Sequence, residues 1–129
     1  MIVFVVTLVL LADQATKAVL LRGAVRNSGV AFGIASQHSV YAALLLGVGL
    51  IGSIYLYATL SKSSRYDQLL WGSIFGGIVG NLIDRLRIGT VLDPFTLVQL
   101  RLSFNLADVA ISVGCTLVCL QLLRRAVSK

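Results

Sequence analysis

Glutamate is absent from this 129-residue chain, and its five acidic residues are all aspartates: Asp13, Asp67, Asp84, Asp93 and Asp108. Charge of either sign is scarce, at 12% of residues, against roughly 25% in an ordinary soluble domain. Apolar residues make up 57% of the chain, and the mean hydropathy is +0.93. A soluble chain of this size leaves too much surface in water to hide that content. A soluble monomer and a disordered chain are therefore excluded. The net charge of +6 comes from eleven Lys and Arg without a basic run. That pattern suits lipid headgroups and not a nucleic-acid footprint, so no nucleic-acid partner is expected. Cysteine is limited to Cys115 and Cys119, whose spacing of four suits neither a metal knuckle nor an easy disulfide. They read as small apolar residues of a helix, and neither a metal nor a cofactor is expected. No Gly-x-Ser-x-Gly elbow exists, and Ser53 and Ser73 lack a lysine or histidine at helical spacing, which argues against a serine hydrolase.

What the chain does have is four apolar segments, over residues 1–21, 39–60, 68–86 and 104–123. Each is near the roughly 20 residues that span a bilayer. The expected fold is an all-α membrane protein, one domain over residues 1–129 with four transmembrane helices. The first segment has no basic n-region and runs straight into Asp13-Gln14-Ala15-Thr16-Lys17, so it reads as a retained span. In the last connection Gln99, Arg101 and Ser103 alternate with Leu100, Leu102 and Phe104, the period of a strand. That strand is expected to pair with Val25 to Val30 as a small β element on the outer membrane surface.

Alternating spans put both termini on one side and the 22–38 and 87–103 connections on the other. Asp13, Asp84, Asp93 and Asp108 then share one leaflet, and Asp67 lies at the opposite one. Ionisable groups at membrane depth are costly, which makes those four the first candidates for function. Positive charge is nearly balanced between the two sides. Arg124-Arg125 and the 61–67 turn favour cytoplasmic termini. The far-side arginines call for phosphate or carboxylate partners.

Asn81, Asp84 and Arg85 share a helix face, as do Asn105 and Asp108. Gly76 and Gly80 form a small-xxx-small ridge that admits a close neighbouring helix and is expected to bring Asp84 towards Asp108. Two carboxyls a few Å apart do not both ionise easily. One anion beside one acid can activate water while polarising a carbonyl. The structural alternative pairs Asp84 with Arg85 or Arg87 and leaves Asp108 to Asn105 as glue between helices. Asp13 and Lys17, at i and i+4, read as an interfacial salt bridge, and Asp93 beside Pro94 as the start of a turn. His38, Tyr41, Tyr55, Tyr57 and Trp71 read as span-end and interface residues.

Five blocks carry a resemblance. They are Asp13-Gln14-x-x-Lys17, Arg26-Asn27-Ser28-Gly29-Val30-Ala31-Phe32-Gly33, Gly76 to Arg85 ending Gly80-Asn81-Leu82-Ile83-Asp84-Arg85, Gly89-Thr90-Val91-Leu92-Asp93, and Phe104-Asn105-Leu106-Ala107-Asp108. In this order the chain resembles the lipoprotein signal peptidase (signal peptidase II) family. The resemblance implies a four-span aspartic endopeptidase of the bacterial cytoplasmic membrane. Its substrate would be a diacylglyceryl prolipoprotein, cut just before the modified cysteine, with membrane phospholipids around it. By the same resemblance Asp84 and Asp108 form the catalytic dyad, and Asn81, Asn105 and Ala107 shape the site. Asp13, with Lys17 beside it, supports structure, and Asn27 and Arg85 contact substrate. The site would lie near the outer face of a monomer with cytoplasmic termini. Only nine residues separate Lys17 from Asn27, fewer than is usual in the family, which bears on its outer β-cradle. Two rival readings remain from composition. One is a small four-span transporter or ion channel working as a dimer; the other is an assembly factor whose aspartates only hold helices together.

Overall fold

The computed structural model describes residues 1–28, 39–61 and 64–128. Gly29 to Gly33 of the second block, together with His38, lie outside the described residues. Four helices dominate: α1 (Ile2–Val19), α2 (Ser39–Leu60), α3 (Arg65–Ile88) and α4 (Leu106–Val127). They fall where the apolar segments predict. By length and composition α1, residues Val40–Leu60 of α2, and α4 can each cross a membrane. α3 is not among these three. It carries Arg65, Asp67, Asp84, Arg85 and Arg87, and it is the helix on which the others pack.

Glycine placement explains how α3 takes that central position. A Cβ on Gly72, Gly76 or Gly80 would sit within 3 Å of Val5, of the Val6 carbonyl and Val9, or of the Asp13 carboxylate, all on α1. A Cβ on Gly77 would lie 2.6 Å from the Ala107 carbonyl of α4. Gly114 of α4 returns the fit against Ile74 of α3. The Gly76/Gly80 ridge therefore seats α1, a correction to the expected role of bringing Asp108 close. That role belongs to Gly77, one residue round the helix. The core is Leu70, Trp71, Ile74, Ile78 and Val118, with Tyr57 and Phe75 packed against it. Tyr57 meets Trp71 and Phe75 edge-on, and Trp71 and Phe75 lie tilted to each other, with ring centroids 5.9 to 6.0 Å apart. Trp71 and Tyr57 thus pack between α2 and α3 instead of anchoring at the interface. Tyr41 and Tyr55 are exposed.

Both ends of the bundle are closed by polar caps. Ser64 and Asp67 form a reciprocal capping box at the start of α3, and Asn105 and Asp108 form one at the start of α4. α3 ends on Gly89 in the left-handed conformation, φ 74°, which a side chain would strain. Asp67 also accepts from Gln121 at 2.8 Å and Arg125 at 3.2 Å, which locks α3 to α4 at the end remote from the other four aspartates. Cys115 and Cys119 are unpaired on α4.

Among the described residues the β element is two separate two-stranded sheets. β1 (Val25–Asn27) pairs antiparallel with β2 (Val91–Asp93), placing Val25 opposite Asp93 and Asn27 opposite Val91. β3 (Phe95–Leu97) pairs with β4 (Leu102–Phe104). The expected pairing of residues 99–104 with the 25–30 stretch is corrected: only residues 102–104 are strand, and their partner is β3, a few residues back along the chain, while β1 takes β2. Pro94 has no N–H for a ladder and separates β2 from β3. Val98–Leu100 form a short 3₁₀ turn, and Arg101 at φ 50° folds the chain back.

Candidate active site

The site is built where α1 and α3 end and α4 begins. Lys17 lies one turn after Asp13 on α1, and both are buried. The Lys17 ammonium sits 2.7 Å from Asp13 Oδ2 and 2.8 Å from Asp84 Oδ2 on α3. It also donates to Asn81 Oδ1 at 3.2 Å. The expected Asp13–Lys17 pair is present, and the partner of Asp84 is Lys17 instead of Arg85 or Arg87. Gln14 Nε2 adds a bond to Asp84 Oδ1 at 3.0 Å. The Leu92 N–H of β2 donates to Asp84 Oδ2 at 3.2 Å. Asp84 thus has a partner on each side from α1 and β2.

Asp108 is approached from elsewhere. Asn81 Nδ2 donates to its Oδ1 at 2.8 Å, and the Asn105 N–H reaches its Oδ2 at 3.3 Å. The Asn105 side chain accepts the Asp108 N–H at 2.8 Å, as the capping box requires. The same side chain donates to Asp93 Oδ1 at 2.7 Å. Asp93 Oδ2 accepts from Asn27 Nδ2 at 3.0 Å, across the β1–β2 pair. Asp84 and Asp108 are therefore joined through Lys17 and Asn81, with no hydrogen bond between their carboxyls. Asp93 and Asp108 flank one asparagine.

Asp13 fastens this arrangement. Its Oδ1 accepts the Ala107 N–H at 3.0 Å, so one carboxylate of α1 holds the first turn of α4. Negative charge at a helix N-terminus is favoured by the exposed N–H groups and the helix dipole. Ala107 is fully buried, and a larger side chain there would meet Gly80. Arg85 is buried on α3, donates to the Ser28 carbonyl at 3.1 Å, and lies within Coulombic range of Asp93, Asp108 and Asp84.

Every site residue named from the sequence lies in this network or beside it. Two further contributors join them. Gln14 follows Asp13 on α1. Asp93 is one of the four candidate aspartates, and in place of the expected start of a turn it is fully buried and hydrogen-bonded on both oxygens. Burial pushes the Asp93 carboxyl above its ordinary range, and the bonds from Asn27 and Asn105 pull the other way. The signal available was its place in the Gly89 to Asp93 block.

This helical bundle, with buried carboxylates grouped at one end under short strands, has the fold of bacterial membrane enzymes of known structure. Two solved bacterial membrane enzymes share the fold. One has a TM-score of 0.87 at 25% identity, covering 99% of this chain and 90% of its own. The other has a TM-score of 0.80 at 25% identity, covering 95% and 92%. The family model described as Signal peptidase (SPase) II matches residues 5–124, and the chain belongs to the signal peptidase II family. Among similar proteins, the lipoprotein signal peptidase of Leifsonia xyli subsp. xyli is 40% identical over 106 residues, 78% of this chain and 48% of its own. Those of Brevibacillus brevis and Halothermothrix orenii are each 37% identical, covering 69% and 76% of this chain and 60% and 66% of theirs. The chain thus spans about half to two-thirds of the length of these relatives. Family membership leaves the dimeric transporter or channel reading without support.

Proposed function

We propose that this chain is an aspartic endopeptidase of the bacterial cytoplasmic membrane that removes signal peptides from prolipoproteins, cutting before the diacylglyceryl-modified cysteine. All four helices span the bilayer, both termini are cytoplasmic, and the site opens near the outer face of a monomer. The name shared by its relatives supports the substrate class.

One observation carries the choice of reacting groups: Asn105 touches both Asp93 and Asp108. Asp84, the partner expected from spacing, is neutralised by Lys17 and tied to Gln14 and Leu92. A carboxylate so committed is a poor base for water. Asp93 has amide donors but, among the described residues, no cation at hydrogen-bond distance. We therefore assign Asp93 and Asp108 as the reacting pair and Asp84 as a positioning residue that holds Lys17 and the Leu92 backbone.

Four carboxyls share two buried cations, Lys17 and Arg85, and the reacting pair holds one proton between them. The ionised member takes a proton from water as the water oxygen bonds to the scissile carbonyl carbon. The protonated member gives its proton to the carbonyl oxygen, forming a gem-diol. The C–N bond then breaks as one diol hydroxyl gives its proton back to the second carboxyl; the cysteine nitrogen leaves with a proton returned by the first carboxyl, and the signal peptide departs as a carboxylic acid. Asn81 and Asn105 hold Asp108, and Arg85 with Asn27 borders the substrate.

Cleavage of a diacylglyceryl prolipoprotein in vesicles tests the reading. Asp93→Asn and Asp108→Asn are expected to lose turnover by about 10³-fold or more while still inserting, the range set by general acid–base work. Asp84→Asn is expected to lose about 10²-fold, as for a misplaced catalytic group. Wild-type turnover in Asp93→Asn with none in Asp84→Asn would return the role to Asp84. Stability loss without turnover loss in all three would return the site to a scaffold.

A further inference from the structure

At the site end of the bundle, the described exposed charges are Arg22, Arg26, Arg87 and Arg101. The aspartates there are buried, or half-buried in the case of Asp108, so this outer rim presents positive charge alone. The rim also presents apolar side chains. Val98 is 76% exposed and Leu100 71% exposed at the tip of the β3–β4 hairpin, with Leu97 and Leu102 behind them. The hairpin is fixed at its base: Phe95 and Phe104 stack at 5.6 Å, and Thr96 meets Ser103 at 3.2 Å. An ordered hairpin that holds apolar side chains outward has a partner for them, since water is a poor one. Arg101 sits at the turn itself. Below the tip, β4 leads through Asn105 into α4, on which Val109 and Val113 are exposed as well. That continuity with a membrane-capable helix, together with the all-arginine rim, selects a lipid over a protein partner.

We propose that the Leu97–Leu102 tip is an interfacial anchor for anionic phospholipid: Val98 and Leu100 enter the acyl layer and Arg101 takes the headgroup phosphate, with Arg22, Arg26 and Arg87 holding a collar of the same lipid. The anchor reaches the reaction through one residue, because only Pro94 separates Asp93 from the hairpin. Seating the tip in lipid thereby sets the height of Asp93 over the bilayer. The inference rests on the membrane placement proposed above and not on the reaction.

Fluorescence quenching with the full chain tests it. A bimane label at Leu100→Cys is read in a Cys115→Ser, Cys119→Ser background, in phosphatidylcholine vesicles containing phosphatidylglycerol. Bromine is placed on the acyl chains of one lipid or the other at equal mole fraction. A label at Val48→Cys, on the exposed middle of α2, reports insertion. The expected result is quenching at both positions, stronger at Leu100 by brominated phosphatidylglycerol than by brominated phosphatidylcholine. Arg101→Gln is expected to reduce that preference about fivefold, the worth of one arginine at an anionic surface. Quenching at Val48 alone, with Leu100 open to aqueous iodide, overturns the anchor and leaves the membrane placement standing. Quenching at neither position overturns both. Equal quenching by the two lipids overturns the anionic assignment. Shielding of Leu100 that appears only when prolipoprotein is added assigns the tip to the substrate and overturns the proposal.

Discussion

Lys17 on α1 reaches across to α3 and sets its ammonium 2.8 Å from Asp84, 67 residues further along the chain. Both side chains are almost wholly buried, and Asp13 completes the triad from one turn earlier. Removing the single cation strands two carboxylates. Lys17→Met is expected to lower stability by about 3–5 kcal/mol, the cost of leaving buried charge unpaired. Denaturant unfolding in detergent measures it. A loss under 1 kcal/mol would show that water reaches this triad.

Close packing at Gly77 is expected to matter for activity as well as stability. An added methyl would sit 2.6 Å from the Ala107 carbonyl, backbone that cannot turn aside. Gly77→Ala is expected to cost about 1–3 kcal/mol by overpacking and to move the first turn of α4, with Asp108 on it. Turnover should fall with the melting temperature. Gly47→Ala on α2, where a Cβ meets nothing within 4 Å, is the control. It should gain up to about 1 kcal/mol from helix propensity with turnover unchanged.

The pH profile of cleavage should respond to Asn27. Its amide donates to Asp93, and that bond favours the ionised form, opposing the upward push of burial. Asn27→Ala removes the bond, so the Asp93 carboxyl titrates higher still. The alkaline limb of kcat/KM, where the last shared proton is lost, is expected to move to higher pH. A limb that stays in place, or moves down, would show that Asp93 does not hold the proton the reaction uses.

At the opposite end, Asp67 ties α3 to α4. It caps α3 and bonds Gln121 and Arg125 of α4. Asp67→Asn is expected to lower stability by about 1–3 kcal/mol, the range for a disturbed buried polar group. Its kcat/KM and pH profile should match wild type at a temperature where both are folded. A shifted profile would tie this remote cap to the site.

Much of the architecture was legible because its causes are local. Apolar run length located α1, α2 and α4, and the i, i+3 spacing of Asn105 and Asp108 marked a helix start that is indeed a capping box. Alternation of spans separated Asp67 from the other aspartates before any contact was known. The Asp13–Lys17 pair needed only one helical turn. Strand pairing was read less well. Period two was correct for residues 102–104, but alternation says nothing of the partner, and Pro94 and the left-handed Arg101 made β3 that partner.

The amino-acid sequence by itself determined where the chain resides, how many long apolar segments it has, and that four aspartates gather at one end. Those follow from hydropathy and helical period, which act over a turn or a span. Only the tertiary structure decided which carboxyl faces which. Whether Asp84 meets Lys17 or Asp108 depends on Gly72, Gly76 and Gly80 drawing α1 onto α3. Asp93 reaches Asn105 because β2 pairs with β1 over the end of the bundle. Both outcomes are set by backbone approach between segments far apart in the chain, and residue spacing along one helix carries no record of them.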